Sequence, residues 1–376
     1  MKVLLHADAV GGVFTYALEL ARALRQRGVE VVLATEGAPL DAAQARAVAA
    51  VPGLRHHGAA FRLEWMEAPW ADVAAAGRWL LALERAEQPD VVQLGSFTHG
   101  ALPFRAPALV VAHSCVPSWF EAVRGEPAPA AWDTYRRAVR RGLLCAAAVV
   151  APSRAMAEAL VRHHGPLPPP RVIPNARDPA RFPPGPGGPL VMGAGRLWDE
   201  AKGAAALAAA APALPWPVAI AGDPAPPAPA PAPGPATPGA DAPGAPLAPG
   251  QAHRLGRLDE ASLARWLGRA SIFAHPARYE PFGLAVLEAA LAGCALVLGD
   301  VPSLREFWDG AARFVPPGQP APLALALRAL IGDARGRARL AAAARARALR
   351  LSPARQAQAY LDLYGALCRQ RTGAHP

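Results

Sequence analysis

Residues 2–5, with the apolar run Val3-Leu4-Leu5, read as a buried strand and residues 6–12 as a loop that ends in Gly11-Gly12. Residues 14–27 then repeat apolar side chains at helical spacing up to Gly28, and a second apolar run follows at 29–34. Strand, glycine loop, helix and strand in that order is the opening of a doubly wound α/β domain, in which ligands lie at the carboxyl ends of parallel strands. The glycine pair serves either a close backbone approach to a ligand or a tight turn that needs positive φ. It is not a Gly-x-Gly-x-x-Gly fingerprint, so no dinucleotide site is assigned to it. Further short apolar runs at 90–94, 108–112 and 147–151 continue the parallel sheet. The run at 108–112 leads straight into His113, which places a histidine at the functional edge of the sheet. His56-His57 and His163-His164 read as exposed loop or helix-end pairs.

At 376 residues the chain is too long for one ordinary core and fits two domains. Composition marks the division. Residues 1–168 read as the first domain, 169–189 as a Pro/Gly-rich linker interrupted by Val172-Ile-Pro-Asn175, and 190–350 as a second α/β domain. Residues 351–376 read as a C-terminal helix returning towards the first domain, with Tyr360, Leu361, Leu363 and Tyr364 supplying an apolar face. Within the second domain, residues 224–250 are an Ala/Pro/Gly tract that cannot build a packed core and reads as a mobile surface insertion.

Formal charge is +10, which raises nucleic acid or an anionic membrane as partners. The basic residues are scattered, however, with no block of five or six and no basic-aromatic interleaving, which argues against a nucleic-acid-binding protein. Of 39 basic residues only Lys2 and Lys202 are lysines, so Lys202 stands out. The four cysteines form no Cys-x-x-Cys pair, and neither a zinc site nor a disulfide framework is indicated. There is no signal-peptide pattern and no apolar span of 18 residues. The expected location is the cytoplasm, with peripheral contact on the inner membrane face left open.

The chemistry concentrates in Arg278-Tyr-Glu-Pro-Phe-Gly-Leu-Ala-Val-Leu-Glu288, where a loop-like segment meets a helix-favouring run. Were Glu280 and Glu288 both helical, they would stand roughly 12 Å apart along the axis, too far for an acid/base dyad on one bond. They suit two separate contacts to a long ligand, with a helix N-terminus between them for an anion. The alternative from spacing alone is a surface Glu before a helix and another on its wet face. Earlier, residues 190–196 read as a strand running into a loop that carries Arg196 and Lys202, two fixed cations at a strand end and a natural anion site.

Taken together these residues resemble the family 4 retaining glycosyltransferases, enzymes of two Rossmann-like doubly wound parallel-sheet domains facing across a cleft, the GT-B fold. The resemblance covers nearly the whole chain. Residues 278–288 look like the family's Glu-x7-Glu element, Gly11-Gly12 its glycine loop, Val172-Ile-Pro-Asn175 its linker, and Gly195-Arg196-Leu197 with Lys202 its diphosphate-binding pair. The resemblance implies that Arg196 and Lys202 neutralise the diphosphate of a UDP-, GDP- or ADP-sugar. It further implies that Glu280 contacts the transferred sugar, Glu288 holds the ribose hydroxyls, and backbone N–H groups near Phe282, Gly283 and Leu284 face phosphate. His113 matches a family histidine near the reacting sugar. The expected enzyme is hexosyltransferase-like, with catalytic residues His113, Glu280, Arg196 and Lys202 and with no metal or cofactor. Its acceptor would be a sugar, a lipid-linked molecule or a small molecule. A sugar-nucleotide epimerase on the same fold is the alternative enzyme. Phe14 departs from many members of the family, which have a small residue at the position after Val13, and reads as narrowing the site or marking a subgroup. Trp65, Trp70, Trp119 and Phe120, in loop-like sequence, read equally as acceptor stacking, membrane contact or core packing.

Overall fold

The computed structural model describes residues 1–225 and 247–373. Most of the Ala/Pro/Gly tract, residues 226–246, lies outside the described residues. Two compact units are present, each built on one parallel sheet.

The first unit comprises Met1–Ala176 and the C-terminal helix Pro353–Gly373. Its strands are β1 (Lys2–Asp8), β2 (Glu30–Glu36), β3 (Arg55–Ala59), β4 (Val91–Leu94), β5 (Ala108–Val111), β6 (Ala148–Ala151) and β7 (Arg171–Val172). They pair in the order β3-β2-β1-β4-β5-β6-β7, every pair parallel. β4 and β5 are buried along their whole length, as strands covered by helices on both faces must be, which is why they read as continuous apolar runs. The C-terminal helix buries Tyr360, Leu363 and Tyr364 in this unit.

The second unit runs from Arg177 to Ser352. Its strands are β8 (Val191–Ala194), β9 (Val218–Ala221), β10 (Ala252–Gly256), β11 (Ile272–His275), β12 (Ala295–Gly299) and β13 (Ala312–Val315). Their order is β10-β9-β8-β11-β12-β13, again all parallel. Both sheets therefore reverse direction beside their first strand, between β1 and β4 and between β8 and β11. In open parallel sheets, ligands lie beyond the carboxyl ends of the strands at such a switch point.

The structure departs from the sequence reading in several places. β1 continues through His6 to Asp8, because pairing with β2 extends to Asp8↔Glu36 and outweighs the polar side chains. β3 was not visible in Arg-His-His-Gly-Ala, a polar edge strand; His56 meets Thr35 Oγ1 at 2.8 Å and His57 meets Glu87 at 3.1 Å. His164 is not exposed: it ends helix Arg154–His164 with 4% of its surface exposed, and burial pushes its pKa down to about 4. Trp119 and Phe120 lie in helix Val116–Arg124 rather than a loop, with Phe120 also against Trp132, and Trp65 and Trp70 pack on the first unit's core. Among the described residues no helix is long and apolar enough to cross a membrane, and all four cysteines are free thiols.

Candidate active site

At the switch point of the second sheet, β8 ends in a loop that carries both cations. Arg196 donates to Asp199 Oδ2 at 2.8 Å, and its guanidinium lies 5.3 Å from the centre of the Trp198 ring. Asp199 also accepts from Ala201 N at 3.1 Å, which caps the tight turn Glu200–Lys202. Gly203 follows at φ 70°, where a Cβ would meet the Pro276 carbonyl oxygen at 2.5 Å. Glycine is therefore required both for the conformation and for the close approach of this loop to the one leaving β11. Arg278 N donates to Ala201 O at 2.8 Å and ties the two loops together.

Glu280 stands in the β11 loop. Its Oε2 accepts from Lys202 Nζ at 2.9 Å and from His275 Nε2 at 3.0 Å. Burial opposes its ionisation, yet the Lys202 ammonium and the His275 contact hold its carboxyl well below the usual carboxylate range. A small pocket lined by Gly195, Lys202, Ala274, His275 and Pro276 adjoins this pair.

Three residues later Gly283, at φ 91°, caps helix Leu284–Leu291. The first-turn N–H groups of this helix have no acceptor within it and present partial positive charge. Phe282 is buried with its ring 5.0 Å from that of Phe307. Glu288 lies within the same helix and is 5% exposed, not on a wet face. Its Oε1 stands 2.8 Å from Nε of Arg177, a guanidinium only 2% exposed that also donates to Glu260 Oε2 at 2.5 Å and stacks over Phe182.

Gly11, Gly12 and His113 belong to the first unit. Gly11 has φ 60° and ψ −133°, and Gly12 begins helix Gly12–Arg25. Phe14 is buried at 6% exposure, so it belongs to the packing of this helix. His113 stands two residues beyond β5 with its ring edge-on to Tyr16 at 4.5 Å, and burial lowers its pKa to about 4. The ring is therefore neutral at pH 7. Among the described residues one trio is close enough to consider as a metal ligand set: His6, Glu36 and His99, all buried. Both His99 nitrogens already have partners, Ser96 Oγ at 2.6 Å and the Val73 carbonyl at 3.1 Å.

His275 and Arg177 were not singled out from the sequence. His275 closes an apolar run that reads as ending at Ala274, and Arg177 sits two residues beyond the linker motif; their partners lie 5 and 111 positions further along and become neighbours only in the fold.

The family model for Glycosyltransferase Family 4 matches residues 10–181, and that for Glycosyl transferases group 1 matches residues 188–333. Glycogen synthase of Mycobacterium tuberculosis is 40% identical over 95 residues, which span 25% of this chain and 23% of that relative's length. Among solved structures, sucrose-phosphate synthase from Thermosynechococcus elongatus superposes with a TM-score of 0.74 at 19% identity, covering 97% of this chain and 100% of that one. HepE from Anabaena, solved in complex with UDP-glucose, gives 0.73 at 19% identity with the same coverage. These likenesses show the two-sheet architecture to be the GT-B fold.

Proposed function

The chain belongs to glycosyltransferase family 4 and is a glycosyltransferase of GT-B type, and from that premise we propose a retaining transfer of a sugar from a UDP-sugar to an acceptor hydroxyl without a metal ion. The observation that carries this reading is the Lys202–Glu280 ion pair at the β8/β11 switch point, with an open helix N-terminus three residues beyond Glu280. In this reading the donor's diphosphate lies against Lys202, Arg196 and the first turn of helix Leu284–Leu291. These groups supply the positive charge that a divalent cation supplies elsewhere. Glu280 accepts hydrogen bonds from the sugar hydroxyls. Glu288 takes the ribose hydroxyls through the carboxylate that Arg177 orients. The bond from the anomeric carbon to the β-phosphate oxygen breaks, its electron pair leaving with the diphosphate. The acceptor oxygen then bonds to the anomeric carbon on the same face and passes its proton to the departing phosphate. Charge develops on that phosphate in the transition state, so fixed cations there lower the barrier. UDP is favoured as the carrier because HepE, of the same fold, is recorded with UDP-glucose.

A donor screen with mass detection of products on sugar, lipid-linked and small-molecule acceptors tests the reading. Lys202→Ala and Glu280→Gln should each lower turnover by about 10²–10³-fold while remaining folded. The product anomer should match the donor by NMR, and activity should survive a chelator. Near-normal turnover in both variants would sink the assignment.

A further inference from the structure

Resting on the donor-site reading above, we propose that His275 is a positioning residue: it fixes the Glu280 carboxylate for the donor's sugar, independently of the nucleotide. Lys202 and His275 converge on the same oxygen, Oε2, at 2.9 and 3.0 Å. Among the described residues neither group claims Oε1, which is left for ligand hydroxyls. The two donors differ in how firmly they are held. Lys202 is a flexible side chain on a tight turn, and bound diphosphate draws its ammonium away from the carboxylate. His275 is the last residue of β11, in register with Leu298 of β12, and is 3% exposed. Its ring lies parallel to that of Phe273, with 6.3 Å between centres and 20° between planes. The Glu280 main chain is fixed separately, its carbonyl accepting from Ser303 Oγ. When phosphate occupies Lys202, His275 and Ser303 are the contacts that keep Glu280 in place. Rigid support of this kind decides whether a binding carboxylate stands at the productive geometry.

The test compares the wild-type enzyme with His275→Leu and His275→Gln, the second of which restores an N–H donor. Affinity for UDP and for UDP-glucose is measured by calorimetry, and glucose transfer or hydrolysis by mass detection. The Leu variant should bind UDP within about twofold of wild type and lose about 10–100-fold in kcat/KM, the range for a hydrogen bond to a charged group. The Gln variant should recover most of that loss. If His275→Leu does not fold, His275→Asn, whose amide is too short to reach Oε2, should show the same split between UDP affinity and turnover. Unchanged turnover in the Leu variant, or parallel loss of UDP affinity with no recovery in Gln, overturns the role of His275 and leaves the donor site standing. If wild type binds none of UDP-, GDP- and ADP-glucose, the donor-site reading falls and this one with it.

Discussion

Each unit carries a histidine–glutamate pair near the point where its sheet reverses direction, and the two pairs are built differently. In the first, His6 Nε2 faces Glu36 Oε1 at 3.4 Å with both side chains sealed from solvent. Beside it Ser96 and the Val73 carbonyl engage His99, and elsewhere in the unit Tyr360, Tyr16, Gln93 and Tyr364 form one continuous hydrogen-bonded chain. In the second, His275 and Glu280 share their contact with Lys202, and Glu280 keeps 13% of its side-chain surface exposed. The same topology thus yields a closed polar core in one sheet and an accessible, cation-supported carboxylate in the other. Strand order alone does not decide where ligand chemistry lies; whether the polar groups at the strand ends reach solvent does.

The largest expected effect separates the pairs by stability. His6→Leu leaves the Glu36 carboxylate buried without the group that chiefly offsets its burial, and should cost roughly 3 kcal/mol. His275→Leu leaves Lys202 on Glu280 and should cost only about 1 kcal/mol. Native-state hydrogen exchange of the β1 and β8 amides reads the two units separately, and equal losses would break the comparison.

Acid should distinguish the units next. Burial holds His113 and His164 at about 4, below the ordinary value of 6.5, so both are neutral in the folded chain. The unfolded chain binds their protons first, and stability falls as pH drops from 6.5 to 4. Glu280 works lower: its carboxyl is depressed from 4.5, so its contribution is present above that value and is lost only as pH falls below it. Exchange at pH 5 should therefore loosen the first unit before the second, and the double variant His113→Gln, His164→Gln should flatten that slope. The smallest effect concerns the tyrosine chain. Tyr360→Phe removes the acceptor of the Tyr16 hydroxyl and should cost about 1 kcal/mol, measured by the exchange of amides in helix Gly12–Arg25.

Much of the fold was legible from local pattern. The central strands are mostly apolar and buried because both faces are covered, and the helix that follows Gly283 needs a residue that tolerates φ 91°. The edge strand β3 was not legible, since a strand with one paired neighbour can remain polar on its surface. Glu280, Glu288, Arg196 and Lys202 stood out through spacing and rarity. His275 and Arg177 did not, because a histidine ending an apolar run and an arginine in a linker are ordinary until their partners are known.

What the sequence determined by itself was the alternation of strand and helix, the division into two parallel-sheet units and the residue types available at each strand end. These follow from side-chain periodicity and backbone preference, which act over a few neighbours. Tertiary structure alone decided which polar groups spend their hydrogen bonds on each other. Lys202 and Glu280 are 78 residues apart in the chain and 2.9 Å apart in space. Only the pairing of β8 with β11 brings the lysine to the carboxylate, as only the β1–β2 pairing sets His6 against Glu36.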